Sequence, residues 1–296
     1  MVGVWVAVAA VVAVIGFVLV DTLAGRHWHR RGTQARLHVT PARSGKPEQV
    51  IVAFPGYTMA GSLLSAAFAP HLGEHDAMVV VEYAERGVDI EQIYRAVMAE
   101  VAAIGAPALR VYGGSMGGMC AKHFLDRYHR DGARYGKVVF LVDTAPSRPA
   151  DVKRPRWLMA LGRWYLGGPV GSAIWSAVSW LEPRPVAEPY ADPQIISAFR
   201  RATARVGLPA IASQAAYIAG FVGLGGNELV PVAERVAFLH GYGHAGDPVI
   251  RVGRAITGWR HAFPDLRVIS IDARQGRWHL PLIERPRETV RAILAG

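Results

Sequence analysis

A serine set between glycines gives the sequence its clearest chemical signal. Ser115 lies in the run Gly113-Gly114-Ser115-Met116-Gly117, after a β-rich stretch and before a helical pattern. A serine at a sharp strand-to-helix turn needs neighbours without side chains, since β-carbons on both flanking glycines would collide across the turn. The helix that follows directs its first backbone N–H groups and its positive dipole end toward the serine. We therefore predict that Ser115 is a nucleophile and that the Met116 N–H is one donor to an oxyanion.

A base and an acid follow later in the chain, in the order that such a serine needs. His279 comes after the last predicted strand, in a loop that can hang over Ser115, and is predicted to be the general base. Asp247 lies in a glycine-rich loop behind a predicted strand. A carboxylate there can hold the imidazole in its productive tautomer and stabilise the imidazolium, so Asp247 is the predicted acid.

Other residues could take these parts. Asp143 ends an earlier predicted strand and is the alternative acid, while Asp272 fits a strand-ending turn better. His244 is the alternative base. The spacing of His240, His244 and Asp247 would allow a metal site, but all three belong to one loop and no other ligand cluster supports them, so no metal is predicted.

The loop after the first buried strand could supply a second oxyanion donor. It reads Pro55-Gly56-Tyr57-Thr58 and ends a run of apolar residues. In a serine hydrolase this loop presents a backbone N–H to the reacting carbonyl, so we assign that role to Tyr57, with Thr58 as the neighbour that could replace it. An ordinary strand-ending turn is the alternative interpretation.

Strands and helices alternate over most of the chain, which predicts an α/β fold with a doubly wound, mostly parallel sheet. Ligands bind such sheets at the carboxyl ends of the strands, where Ser115, Tyr57 and both candidate acids fall. The predicted strands are Glu48–Phe54, Ala77–Tyr83, the stretch from Leu109 to the serine, Val138–Asp143, Val236–Gly241 and Leu266–Ile271, and the predicted helices include Ile90–Ile104 and Val249–Phe263.

The alternation stops at about residues 147–235, which we interpret as a helical cap inserted over the site. The insertion is rich in large apolar side chains and has Lys153, Arg154, Arg156 and Arg163 near its start. Such a surface could meet lipid headgroups or line an acyl pocket, whereas a plain helical core is the simpler account. Its aromatic residues include Trp157, Trp164, Tyr165, Trp175 and Trp180.

The amino terminus predicts a transmembrane helix. Val2 to Val20 contains no charged residue, and 19 residues of helix extend about 28 Å, close to the hydrocarbon thickness. A cleaved signal peptide is the alternative, but no Lys or Arg precedes the apolar run and no clear cleavage site follows it. Because Arg26, Arg30 and Arg31 follow the span, the positive-inside rule places the large domain in the cytoplasm.

Composition limits the remaining function classes. The chain has 296 residues and a formal net charge of +10; four of its 33 basic residues are Lys, which leaves 29 Arg. These are scattered and accompany no nucleic-acid motif, so no nucleic-acid partner is predicted. The single Cys120 excludes an intrachain disulfide and is predicted to be a packed small hydrophobe. No cofactor is predicted, and no oligomeric state follows from the sequence.

With Ser115, Asp247 and His279 in this order, the sequence resembles the α/β-hydrolase family. The similarity covers Val50 to Gly296 apart from the cap, and includes the loop Phe54-Pro55-Gly56-Tyr57, where Pro55 stands in place of the family's frequent histidine. It implies a Ser-His-Asp triad that forms an acyl-enzyme and transfers the acyl group to water. The predicted domains are a transmembrane anchor at 1–24, a basic flank and linker at 25–47, and a hydrolase domain at 48–296.

Anchor and cap together favour a lipophilic carboxylic ester as substrate. The family also includes thioesterases and acyltransferases, so the fold alone does not choose the reaction. A catalytically inactive lipid-binding or scaffold protein on the same fold is the second hypothesis. It has no need of a complete triad, so the esterase or lipase is preferred.

Overall fold

A sheet of mostly parallel strands forms the centre of the protein. The computed structural model describes residues 2–28, 34–163, 167–174, 206–225, 232–241, 246–271 and 279–295. Within them the strands are β1 (Arg36–Thr40), β2 (Gln49–Phe54), β3 (Asp76–Glu82), β4 (Ala108–Gly114), β5 (Val138–Asp143), β6 (Ala233–His240) and β7 (Arg267–Ser270). Their order is β1-β3-β2-β4-β5-β6-β7, in which β1 is antiparallel to β3 and every other pair is parallel.

Helices connect the strands and cover both faces of the sheet. They are α1 (Val2–Trp28), α2 (Gly61–Phe68), α3 (Ile90–Ile104), α4 (Met116–Arg130), α5 (Arg156–Ala160), α6 (the helical residues described at 169–174), α7 (Leu208–Gly220), α8 (Val252–Ala262), α9 (Pro281–Glu284) and α10 (Pro286–Ala295). Short 3-10 turns occur at Ala69–His71, Pro149–Asp151 and Leu161–Arg163. Crossover helices of this kind are what parallel strand pairing requires.

Two hydrophobic clusters lie on opposite faces of the sheet. One contains Phe124 of α4 and Trp259 of α8, together with cap residues such as Ile218. The other contains Phe68 of α2 and Ile293 of α10. Because strands β2 to β5 are buried on both faces, their sequences are continuously apolar instead of alternating, as the sequence predicted.

The element boundaries differ from the predictions in three places. The polar stretch after the basic flank contains β1, an edge strand that is antiparallel to β3. β6 begins at Ala233, three residues before the predicted Val236, because it pairs with Val138 there. Helix α8 begins at Val252 and not at Val249, since the amides of the preceding residues are held by an aspartate side chain described below.

Helix α1 is long and apolar enough to cross a membrane, over Gly3–Gly25. Its apolar side chains are exposed along almost the whole length, for example Trp5 and Val20. Length and composition alone would equally suit a signal sequence.

Candidate active site

The elbow around Ser115 is sterically constrained. Ser115 joins β4 to α4 with a φ of 51° and a ψ of −119°, a strained conformation for a residue with a side chain. A β-carbon at Gly117 would overlap the carbonyl oxygen of Phe54 and lie 2.7 Å from that of Pro55. One at Gly113 would lie 2.6 Å from the Gly118 Cα. The glycines therefore let α4 approach both its own strand and β2.

Three predicted residues form a continuous chain of hydrogen bonds. The Ser115 Oγ and the His279 Nε2 are 2.8 Å apart, and the His279 Nδ1 lies 2.7 Å from the Asp247 Oδ2. An ionised carboxylate can only accept, so Nδ1 carries the proton and Nε2 accepts from the serine hydroxyl. The structure thus brings together residues that lie 164 and 32 positions apart in the chain.

The backbone holds the Asp247 carboxylate in place. Asp247 is fully buried, and its Oδ1 accepts the amide hydrogens of Val249 at 2.7 Å and Ile250 at 2.8 Å. These bonds stop the helix from starting before Val252 and leave Oδ2 for His279. The Lys153 Nζ donates to the backbone carbonyl of Asp247, which ties the start of the cap to the acid loop.

The alternative acid, Asp143, does not contact His279. Its Oδ2 accepts from the Tyr112 hydroxyl at 2.7 Å and its Oδ1 from the Thr144 hydroxyl at 3.0 Å. Burial raises the pKa of the Asp143 carboxyl to about 7, against the opposing effects of these hydrogen bonds and of the nearby His279. Its backbone carbonyl accepts the Ser115 N–H at 2.8 Å, so the residue supports the elbow through its main chain.

The loop that carries Tyr57 lies against the serine. A β-carbon on Gly56 would lie 3.3 Å from the Ser115 Cβ, and on the other side the Tyr83 hydroxyl donates to the Pro55 carbonyl at 3.0 Å. The Thr58 N–H, the predicted substitute donor, is instead bonded to the Gln214 Oε1 at 2.8 Å. Met116 opens α4, so its N–H has no intrahelical acceptor. This geometry leaves Tyr57 and Met116 as the candidate donor pair.

Gln214 is the contact that the sequence did not reveal. It belongs to cap helix α7, is buried, and supports a Thr58 whose φ of 59° is in the left-handed region. The only signal was a glutamine in an otherwise small and apolar helix, Leu208–Gly220. Tyr112 was missed for a similar reason, since a tyrosine in a buried strand looks like core until its hydroxyl is placed.

A polar cluster behind the elbow joins α4 to the same cap helix. The His123 Nδ1 and the Tyr217 hydroxyl are 2.7 Å apart, and burial lowers the pKa of His123. Burial also raises the pKa of the Cys120 thiol to about 12, with hydrogen bonds to Tyr83 and Tyr217 acting against it. Cys120 is thus a packed, unreactive thiol.

Several predicted features lie outside the described residues. These are His244, Asp272, the loop residues 276–278 that precede His279, and the cap aromatics Trp164, Tyr165, Trp175 and Trp180. Within the residues that are described, no group of three or more His, Cys, Asp or Glu side chains could hold a metal ion. Of the five aromatics named from the sequence, Trp157 is described; it is 68% exposed, so a plain cap core is not its environment.

Comparison with known proteins identifies the fold. Neither a scan against protein-family models nor a search of curated sequences gave a match. Solved structures, in contrast, superpose over most of the chain. The enol-lactonase from Burkholderia xenovorans LB400 is 16% identical with a TM-score of 0.60, over 90% of this chain and 96% of its own.

Two further structures span different chemistries. An esterase from Exiguobacterium antarcticum is 12% identical with a TM-score of 0.57, over 88% of this chain and 94% of its own. The bottromycin epimerase BotH is 14% identical with a TM-score of 0.56, over the same shares of the two chains. The protein therefore has the α/β-hydrolase fold, as the resemblance implied.

Proposed function

We propose that this chain, on an α/β-hydrolase fold, is a serine hydrolase that cleaves carboxylic esters with lipophilic acyl groups. The observation that carries the proposal is the hydrogen-bonded series Ser115–His279–Asp247 at 2.8 and 2.7 Å, ending on a carboxylate that the backbone holds. Fold alone does not choose the reaction, since BotH, with a similar structure, is an epimerase. An activated serine next to candidate oxyanion donors favours acyl transfer.

In the first half-reaction the Ser115 Oγ attacks the ester carbonyl carbon while its proton passes to the His279 Nε2. The Asp247 carboxylate stabilises the imidazolium that forms. The carbonyl oxygen becomes an oxyanion, which the N–H groups of Tyr57 and Met116 bind. The intermediate collapses, the bond to the alcohol oxygen breaks, and the alcohol leaves with the proton from His279. An acyl group remains on Ser115.

In the second half-reaction His279 takes a proton from water, and the resulting nucleophile attacks the acyl carbon. The bond to the Ser115 Oγ breaks, the serine recovers its proton from His279, and the carboxylic acid leaves. The two half-reactions together consume one ester and one water molecule. The lactonase and the esterase with similar structures are consistent with a small-molecule ester as substrate.

We also propose that α1 is a retained membrane anchor and that the hydrolase domain is cytoplasmic. The helix exposes apolar side chains over a length that suits a bilayer, and basic residues follow the candidate span Gly3–Gly25, namely Arg26, Arg30, Arg31 and Arg36. An anchored hydrolase meets lipophilic esters at high local concentration in the membrane, which is the reason for preferring them as substrates. Protease protection in sealed vesicles tests the orientation.

A fluorophosphonate probe tests the catalytic proposal. The full-length protein in detergent is expected to be labelled at Ser115, and Ser115→Ala is expected to lose both labelling and p-nitrophenyl ester turnover. Ser62→Ala is the matched control, since Ser62 is exposed at the start of α2. A fully active Ser115→Ala protein would refute the proposal. Bound acyl ligands without labelling would favour the lipid-binding protein instead.

A further inference from the structure

We propose that the cap carries a second membrane-binding surface, which rests on the anionic bilayer beside the anchor and opens the Ser115 site toward lipid. Its apolar part, called the cap face below, consists of Trp157, Leu158, Leu161, Val170 and Ile174. The inference rests on the proposed anchor and deepens it by naming the partner of the site, a bilayer that contains anionic lipid.

The cap face is exposed to an extent that is unusual for large apolar side chains. Trp157 is 68% exposed, Leu161 50% and Ile174 55%. Outside α1, the other large hydrophobic residues with comparable exposure in the described part of the chain are Val39 and Val222. Both parts of the cap face are attached to α7, since a β-carbon at Gly162 would overlap the Ala212 carbonyl oxygen and one at Gly167 would lie 2.9 Å from the Leu208 side chain, one turn away. Exposed apolar groups collected in one region indicate an interaction surface.

Packing against α7 explains which way this surface points. Met159 is buried, and a β-carbon at Gly162 would overlap the Ala212 carbonyl oxygen, so this side of the segment faces α7. Trp157 and Leu161, on the same short helical stretch, are left on the side away from the protein. Folding has therefore covered part of the stretch and left its largest apolar groups uncovered.

Hydrogen bonds between the cap and Asp21 of α1 hold the cap face next to the proposed anchor. Asp21 is buried, and its carboxylate accepts the backbone N–H groups of Gly168 at 3.0 Å, Val170 at 3.1 Å and Gly171 at 3.1 Å. A β-carbon on Gly168 would overlap the Asp21 backbone, so the chains touch closely here. These bonds satisfy first-turn amides of α6 and place a negative charge at its positive end.

The position of Asp21 along α1 sets the depth of the cap face relative to the bilayer. Asp21 lies four residues before Gly25, where the candidate span ends, which is about 6 Å along the helix axis. Val170 and Ile174 belong to α6, whose first amides are bonded to Asp21, and both are exposed. They are thus held close to the end of the span, at the depth where headgroups meet acyl chains.

Basic residues beside Trp157 complement an anionic surface. Lys153, Arg154 and Arg156 are exposed and precede the tryptophan directly. An anionic leaflet attracts basic residues near its surface, and tryptophan favours the interface. These three basic residues lie within four positions of Trp157, so that basic and aromatic side chains could contact the same bilayer surface.

The same segment borders the catalytic site. The Lys153 Nζ donates to the carbonyl of Asp247. Burial raises the pKa of Tyr57 in the neighbouring oxyanion loop, and the Arg154 charge acts against that rise. A bilayer that binds this segment would therefore lie at the entrance to the site.

Site-specific fluorescence tests the contact. Leu161→Cys and Ile174→Cys are labelled with an environment-sensitive dye in the full-length protein, in nanodiscs of phosphatidylcholine with and without phosphatidylglycerol. The unaltered protein is the blank, because Cys120 is buried. Ala102→Cys is the matched control, since it is exposed near the end of α3, on the amino side of the sheet. Lipid-borne nitroxides are expected to quench both cap labels and not the control, and more strongly with phosphatidylglycerol.

Quenching of the cap labels no greater than at Ala102→Cys would overturn the proposal. Equal quenching in the two lipids would overturn the role of the basic residues. Asp21→Ala in the Ile174→Cys protein is expected to reduce quenching, and an unchanged signal would remove Asp21 from the account. None of these readings depends on hydrolysis, so a failure of Ser115 to react with fluorophosphonate would be distinguished from a failure of this contact.

Ester hydrolysis provides a second test of the cap face. Trp157→Ser with Leu161→Ser is expected to lower hydrolysis of a palmitoyl ester dissolved in the nanodisc about tenfold, while hydrolysis of p-nitrophenyl acetate in water stays unchanged. Val39→Ser is the control, an exposed valine on β1 outside the cap. Equal loss on both substrates would mean that the cap face acts only in folding, which would overturn the proposal.

Discussion

The two sides of Ser115 are positioned by different parts of the molecule. On one side, the elbow, Asp247 and His279 follow strands β4, β6 and β7 of the sheet. On the other side, the loop with Tyr57 and Thr58 is braced by Gln214 of cap helix α7. The sheet therefore places the proposed nucleophile, base and acid, whereas the cap braces the loop that would supply one of the two oxyanion donors.

The largest effect is expected on the sheet side, from Asp247→Asn. The Val249 and Ile250 amides need an acceptor, so the new amide would keep its oxygen toward them and turn its NH₂ toward His279. That choice forces the wrong imidazole tautomer, and kcat is expected to fall about 10⁴-fold, or about 5.5 kcal/mol. Ester turnover measures it. Asp143→Asn is the matched control and is expected to change kcat far less; the reverse ranking would contradict the assignment of the acid.

The elbow itself provides the next largest effect. Gly117→Ala puts a β-carbon onto the Phe54 carbonyl, a rigid backbone atom, and is expected to cost about 3 kcal/mol or more, which lowers Tm by roughly 6 °C or more. Thermal unfolding of the full-length protein in detergent measures this. Gly207→Ala is the control, because its new β-carbon would meet Pro209 at an ordinary 3.5 Å. Equal Tm values for the two variants would show that the sheet side tolerates crowding.

The cap side is expected to give a smaller and different loss. Gln214→Leu removes the acceptor of the Thr58 N–H, so Thr58 can leave its left-handed conformation and the loop that carries Tyr57 can move. We expect kcat to fall about tenfold with little change in KM, less than direct removal of an oxyanion donor costs. Gln214→Glu keeps an acceptor and is expected to restore most of the rate. A rise in KM alone, or equal loss in both variants, would break the proposed division between sheet and cap.

A pH series tests the buried Asp143 on the sheet side. Native Asp143 keeps its proton up to a pKa of about 7, whereas the unfolded chain loses it near 3.8. Between these values the native state binds more protons, so its contribution to stability is present at low pH and declines as pH rises, by at most about 1.4 kcal/mol per pH unit. As the pH is raised from 5 to 8, the free energy of unfolding is expected to fall less for Asp143→Asn than for the unaltered protein. Urea unfolding measures both. Parallel curves would argue that Asp143 is ionised throughout.

Features that depend on neighbouring residues could be predicted from the sequence. Apolar runs and the glycines around Ser115 act within about ten residues, so the buried strands, the elbow and the order of Ser, Asp and His were visible. The strand-to-loop sequence also favoured Asp247 over Asp143, and the Asp247 Oδ2 lies 2.7 Å from the His279 Nδ1. The candidate membrane span was visible as an uncharged run from Val2 to Val20, and the helix found there is long and apolar enough over Gly3–Gly25.

Contacts between distant segments could not be predicted where neither segment carries a recognisable motif. The hydrogen bond from Thr58 to Gln214 joins residues 156 positions apart, and neither has a local pattern that announces it. The shortened start of α8 depended on which amides the Asp247 carboxylate would accept. The exposure of Trp157 likewise depended on whether α7 would cover it, which composition does not determine.

The bond between Asp21 and Gly168 also has a consequence for biosynthesis. The two residues are 147 positions apart, so the carboxylate leaves the ribosome long before its amide partners exist. Until the glycines arrive, water must solvate the carboxylate, so the proposed anchor would be held with Asp21 at the membrane surface at that point. Completion of the cap would then be the step that seats the helix at its final depth, and translation arrested before residue 168 should leave Asp21 accessible to aqueous reagents.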